Sequence, residues 1–262
     1  MLNQIKSNIE QMKKLGLHHF KMETEAEGLT ISDMLARMAI MRPLKVPVWV
    51  KIGGCEAIGD IKACQGMGVD GITAPMIESS SAFEKFINAK RDLIPSGLIA
   101  ESINIETYSG YQNMSWILPR CRECGVTVTI GTSDLRQSLH QHRVFGDKKQ
   151  NNYIKEIAGK LKSFDIPFSI GGGITPHNVN QIIDDYQPDY VNTRNFCFYV
   201  GINGFVEEKK KQGHPLYISA CHSEVSERNA IILALETEIL LLQYFAQPTI
   251  KRVEELQRRL KG

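Results

Sequence analysis

Two acidic residues stand where chemistry is easiest to build. The stretch from Leu98 to Leu135 reads as a strand ending at Glu106, a connecting helix, and a second strand ending just before Asp134. Each acid falls just past the carboxyl end of its strand. In a parallel α/β barrel those ends share one face, and active sites are built there. Two carboxylates at adjacent strand ends, with room for water, are the hard oxygen ligands that an octahedral Mg²⁺ or Mn²⁺ takes. Their other reading is two ordinary polar residues at a strand end and a helix cap. Cationic and acidic side chains collect at two further strand ends. HFKMETEAEG carries Lys21, Glu23, Glu25 and Glu27, and VPVWVK ends on Lys51. Glu27 fits a solvated loop. Lys21, Glu23, Glu25 and Lys51 are candidates for acid–base work, with salt bridges between lysines and glutamates as the alternative. A third element, IPFSIGGGI, ends in Gly171, Gly172 and Gly173, where backbone N–H groups and a helix start could hold a phosphate. Close packing at a barrel rim would need the same glycines.

The elements that must position these residues alternate. Strands start near residues 18, 47, 71, 98, 126, 166 and 189, and six of them are followed by a helix-sized segment. That rhythm predicts parallel βα units. A helix is expected over 2–15, from Leu2, Ile5, Ile9, Met12 and Leu15, with Gly16 as its stop. Another follows Thr30 or Ser32 as cap. The polar run RQSLHQHRVFGDKKQNN reads as a loop over the site, with His140 and His142 as lid contacts and His177 as a surface residue. PDYVNTRNF is read as one strand, with Thr193 and Arg194 near its end.

The segment INIETYSGYQNM resembles the "IET…NL" segment of the citrate lyase β-chain and pyruvate-dependent (class II) aldolase family, and IGTSDLRQSL resembles its "GPxDLxxSL" segment. The resemblance covers about residues 18–200. It implies a TIM-type (β/α)8 barrel of the phosphoenolpyruvate/pyruvate superfamily, with Glu106 and Asp134 holding Mg²⁺ or Mn²⁺. It also implies carbon–carbon lyase or aldolase chemistry through the enolate of a small oxo-acid, pyruvate-like or oxaloacetate-like, with a phosphorylated one also open. The family keeps an Arg where this chain has Lys51, and Ala26 stands about where the aldolases have a His. The set KMETEAEG, KIGGCEA, APMIES, IET, GGGI and TRNF resembles a divergent branch found among biosynthetic genes. In that branch Lys21, Glu23, Glu25, Lys51 and Arg194 replace the aldolase set. Against the family, HFKMETEAEG falls at the second strand, so the first is expected to be atypical or missing, its place filled by the N-terminal helix or an irregular segment.

The remaining features bound the classes. The chain has 262 residues, 42% of them hydrophobic, and a formal net charge of +2. Near-balance argues against a nucleic-acid or membrane partner. Six scattered cysteines and a polar N-terminus fit a cytoplasmic enzyme with reduced thiols. Cys121 and Cys124 form a lone CxxC, which one helix explains. The expected division is a barrel over 1–204 and a C-terminal helical extension over 205–262. Within the extension, 223–246 is apolar on nearly every side, which implies burial. A lone helix is hard to bury on one barrel, so a homo-oligomer is expected. Two other functions compete with the lyase: a metal-free, phosphate-binding barrel isomerase, and a non-catalytic barrel scaffold.

Overall fold

The computed structural model describes residues 1–140, 148–200, 224–245 and 250–261. His142, the charged run near 207–215 and Cys221 lie outside these. Eight strands close into a barrel in the order of the sequence. They are β1 Leu17–Glu23, β2 Val48–Lys51, β3 Gly71–Ala74, β4 Ala100–Ile105, β5 Thr127–Gly131, β6 Phe168–Gly171, β7 Tyr190–Asn192 and β8 Phe196–Tyr199. The first six form a parallel run with a continuous register. No strand precedes β1, which is the HFKMETEAEG element, and the helix Leu2–Lys14 stands before it as expected. The element not foreseen is the last strand. What reads as one strand in PDYVNTRNF is two, reversing at Thr193–Asn195, so that β8 runs antiparallel to β7.

The chain divides into two compact units, Phe20–Gly172 and Met1–His19 with Gly173–Gly262. In the first, the strands alternate. Phe20, Met22, Val48, Val50, Ile72, Ala74, Ile103, Ile105, Val128, Ile130, Phe168 and Ile170 are buried on one face of the sheet. In-register residues of parallel strands share a side. The other, inner face therefore carries Glu23, Lys51, Thr73 and Ser102 in one row, and Asn104, Thr129 and Ser169 in the next. Thr129 Oγ1 and Ser169 Oγ are hydrogen-bonded at 2.8 Å. The helices of this unit are α2 Ile31–Met41, α3 Ile58–Met67, α4 Ser80–Leu93, α5 Tyr108–Gln112, α6 Met114–Cys124, α7 Thr132–Ser138 and α8 Lys148–Ser163. Thr30 caps α2 and shares a capping box with Asp33. Cys121 and Cys124 both lie on α6. The polar run after Leu135 is not all loop: its start belongs to α7 and its end to α8. One buried ion pair, Lys90 Nζ to Glu101 at 2.5 Å, joins α4 to β4, with the Lys90 side chain wholly buried.

In the second unit, α1 (Leu2–Lys14) ends before Gly16, whose φ is 91°. Ile5, Ile9 and Met12 on α1 are fully buried, each contributing roughly 1.5–3 kcal/mol. The helix packs on α10 (Glu224–Tyr244), which also packs on α9 (Val179–Tyr186) and α11 (Ile250–Lys261). Asn8 Nδ2 donates to Thr237 Oγ1 at 3.1 Å within this contact. The premise that a lone C-terminal helix lacks cover on its own chain is therefore corrected: three helices of the same unit flank it. Buried Glu238 on α10 also fastens the β7–β8 turn. Its Oε1 accepts from Thr193 Oγ1 at 2.7 Å and from the Asn195 N–H at 2.8 Å.

Candidate metal and substrate site

Glu106 follows β4 directly and is 3% exposed. Its Oε1 accepts the Met76 N–H at 3.0 Å, and its Oε2 accepts Asn104 Nδ2 at 3.0 Å. Met76 has φ 47° although it is not glycine. Backbone strain of that kind persists where its surroundings over-determine it, and here it aims an N–H at the carboxylate. Gly131, at the end of β5, makes the space. A Cβ there would lie 2.6 Å from both Glu106 Cβ and Oε2. Burial pushes the Glu106 carboxyl above its ordinary value. Lys51 opposes this, the negative charge of Asp134 adds to it, and the hydrogen bonds from Met76 and Asn104 oppose it.

Asp134 lies in the first turn of α7, half-buried. Its negative charge is felt at Glu106. Lys51, at the end of β2, pairs with Glu23 Oε2 at 3.6 Å across the β1–β2 register. The salt bridge raised as the alternative for Lys51 is thus present, and the same ammonium is felt at Glu106. Glu25 is exposed on the loop after β1, its Oε1 crowding the place where a Gly53 Cβ would be. Ala26 is exposed beside it, and Glu27 is half-buried. Lys21 is half-buried and one inner-face row earlier than Glu23, in register with Trp49. The Trp49 ring in turn occupies the space above Gly71.

The glycine run has a packing explanation. Gly172 and Gly173 have φ of 89° and 68°, a region that glycine enters without penalty. A Cβ on Gly172 would meet the Ser133 N and Oγ at 2.7 Å. Thr132 Oγ1 donates toward the carbonyls of Gly171 at 2.9 Å and Gly172 at 2.6 Å. In the other unit the Thr175 N–H donates to Asn178 Oδ1 at 2.8 Å, and Asn178 Nδ2 donates to the Gly173 carbonyl at 2.9 Å. Arg194, also in that unit, is half-buried in the β7–β8 turn. His140 and His177 are exposed.

Four contributors were not singled out from sequence. Asn104 has a findable signal, since it precedes Glu106 by two and shares its strand face. Gly131 and the Met76 N–H had none, because both act through backbone approach. Asp60, in the first turn of α3, binds the two loops together. Its Oδ2 accepts Thr24 Oγ1 at 2.7 Å and the Gly53 N–H at 2.8 Å.

The donor set fits a hard divalent cation. It offers two carboxylates that repel each other, one of them buried and seated against a glycine. It also offers Asn104 Oδ1, which is buried and without a hydrogen-bond partner. The sequence matches no protein-family model and no curated protein. Solved structures do match. A HpcH/HpaI aldolase from Desulfitobacterium hafniense DCB-2 is 13% identical, with a TM-score of 0.57 over 81% of this chain and 87% of that one. The chain has the fold of the aldolase/citrate lyase barrels. A HpcH/HpaI aldolase/citrate lyase family protein from Burkholderia cenocepacia J2315 is 13% identical, with a TM-score of 0.57 over 79% and 89%. Citrate synthase SbnG is 14% identical, with a TM-score of 0.56 over 81% and 86%. Among the described residues no helix is long and apolar enough to cross a membrane.

Proposed function

We propose that this chain is a divalent-metal-dependent carbon–carbon lyase or aldolase acting on a small oxo-acid of the pyruvate or oxaloacetate kind, in a biosynthetic setting. The observation that carries the proposal is the convergence of Glu106, Asp134, Lys51 and Glu23 at the carboxyl ends of neighbouring barrel strands. Glu106 and Asp134 would hold Mg²⁺ or Mn²⁺, with water completing the shell. When bound, such an ion polarises a carbonyl oxygen and so eases formation of negative charge on it. Asn104 and the Met76 N–H fix the orientation of the Glu106 carboxylate. Lys51, kept in place by Glu23, supplies positive charge for the oxygen on which charge develops. Lysine keeps the charge of the arginine found in the family but lacks its planar fork, so carboxylate recognition in two places is weaker. With Ala26 in place of the aldolase histidine, proton transfer falls to a carboxylate or to Lys21. Glu23 and Glu25 are the nearest candidates by strand and loop position. Arg194 and the Gly171–Gly173 run are proposed for substrate binding.

The test is metal-dependent exchange of pyruvate methyl protons with deuterated solvent, read by NMR. Exchange that needs Mg²⁺ or Mn²⁺ and is lost in Glu106→Gln supports the assignment. Absence of exchange with pyruvate and oxaloacetate alike overturns it.

We also propose that the protein self-associates through α10. Ile232, Leu233, Ile239 and Leu240 stay half-exposed along one flank of that helix after its own unit has covered the other.

A further inference from the structure

A second cluster of ligating side chains lies in the unit that contains the two ends of the described chain. His18 and His19, at the start of β1, and Cys197, on β8, each bring one ligating atom within 4.8 Å of the other two. His19 is 6% exposed and Cys197 is 2% exposed, while His18 is half-buried. The strands are tied beside them by the Tyr199 N–H donating to the Gly16 carbonyl at 2.9 Å. The Tyr190 ring tilts against His18, with ring centres 4.8 Å apart. His18 Nδ1 and His19 Nδ1 stand 2.7 Å apart, sharing a hydrogen bond.

We propose that His18, His19 and Cys197 form a binding site for a thiophilic divalent ion of the zinc class. Two imidazoles and a thiol are borderline and soft ligands, which Mg²⁺ and Mn²⁺ do not seek and which Zn²⁺ does. Three protein ligands leave a fourth, tetrahedral position, and the half-buried edge at His18 gives water access to it. The two Nδ1 atoms are already nearly spaced for this, and the Cys197 sulfur lies within 4.8 Å of a ligating nitrogen of each ring. Two nitrogens at ordinary Zn–N distances sit about 3.3 Å apart, so the histidine pair opens by about 0.6 Å as the ion replaces the shared hydrogen bond. The Cys197 thiol loses its proton on binding. Both imidazoles stay neutral and carry their N–H on the nitrogen that does not bind. One proton is therefore released per ion. The ion would link the first barrel strand to the last, and none of its ligands belongs to the Glu106 site.

The experiment is a titration of chelator-treated full-length protein with Co²⁺ alone, a tetrahedral reporter for Zn²⁺. The expected result is a near-ultraviolet thiolate-to-cobalt band with strong visible bands at one equivalent, displaced by Zn²⁺. Cys197→Ser should abolish the thiolate band, and His18→Gln should weaken Zn²⁺ binding by more than the roughly 10–100-fold that loss of an outer-shell partner costs. Cys124→Ser and the Glu106→Gln, Asp134→Asn double variant should keep the band. No thiolate band in the wild type overturns the proposal, as does a band that survives in Cys197→Ser. If the buried Cys197→Ser variant does not fold, His18→Gln decides the matter: unchanged bands and Zn²⁺ affinity there overturn it.

Discussion

Replacing Gly131 with alanine adds one methyl group at the point where β5 meets the Glu106 side chain. The backbone there, at φ −87° and ψ 90°, suits alanine, so the cost is steric alone. The new Cβ would lie 2.6 Å from Glu106 Cβ and 2.6 Å from its Oε2, against about 3.5–4.0 Å for carbon atoms in contact. The carboxylate can swing aside, but Glu106 Cβ is fixed to the backbone after β4 and cannot. The two strand ends must separate by about 1 Å. Overpacking of this kind costs about 1–3 kcal/mol, which lowers Tm by roughly 2–12 °C in a chain of this size. A displaced carboxylate also loses one of its hydrogen bonds from Met76 or Asn104. Such a bond to a charged group is worth about 1.5–3 kcal/mol, or one to two decades in Mn²⁺ affinity. Thermal melts and a Mn²⁺ titration followed by electron paramagnetic resonance measure both. Adding Glu106→Gly removes the clashing atoms, so the double variant should recover most of the Tm and none of the affinity. A Gly131→Ala protein that melts and binds Mn²⁺ like the wild type would refute both the packing of these strand ends and the placing of Glu106.

Lys51→Met should slow metal-dependent proton exchange by about two to three decades, with a stability loss of only about 0.2–1 kcal/mol from the Glu23 pair. Equal exchange rates in the two proteins would leave Lys51 as a salt-bridge partner only. Because the folded-state pKa of Glu106 is raised, the folded protein holds a proton that the unfolded chain gives up. In chelator, stability should therefore fall as pH rises from about 4.3 through the raised folded value. Urea melts of Glu106→Gln should lack that contribution and show greater stability than the wild type at pH 7. Glu101→Ala leaves Lys90 charged and wholly buried, and should cost about 3–5 kcal/mol by chemical denaturation, whereas Lys90→Met with Glu101→Leu should be close to neutral. Sedimentation should give a species larger than 29.5 kDa, and Leu240→Glu should shift it toward the monomer.

The legible parts of this chain are those fixed by local pattern. Alternating apolar residues on the first six strands and the placing of Glu106 and Asp134 at strand ends follow from periodicity and motif alone. The hairpin of β7 and β8 does not. FCFYV continues the apolar run after TRN, and the turn has neither glycine nor proline to announce it. The reversal is held by Glu238, 45 residues further on. The cover of α10 is hidden in the same way, because part of it comes from α1, more than 200 residues earlier. At the site, Asn104 was within reach of a period-two argument. The left-handed backbone of Met76 and the close approach at Gly131 exist only once β3, β4 and β5 are side by side.

The pairing of α1 with α10 has a consequence for synthesis. Asn8 and Thr237 are 229 residues apart, so the ribosome makes the second partner roughly 10–45 s after the first. The strands of Phe20–Gly172 emerge in the order in which they pair, and can assemble during that interval. The face of α1 that packs on α10 cannot be covered by it until Glu224–Tyr244 has been made. During that interval it is open to a holdase, and a bulky group attached ahead of Leu2 would interfere with the final docking step.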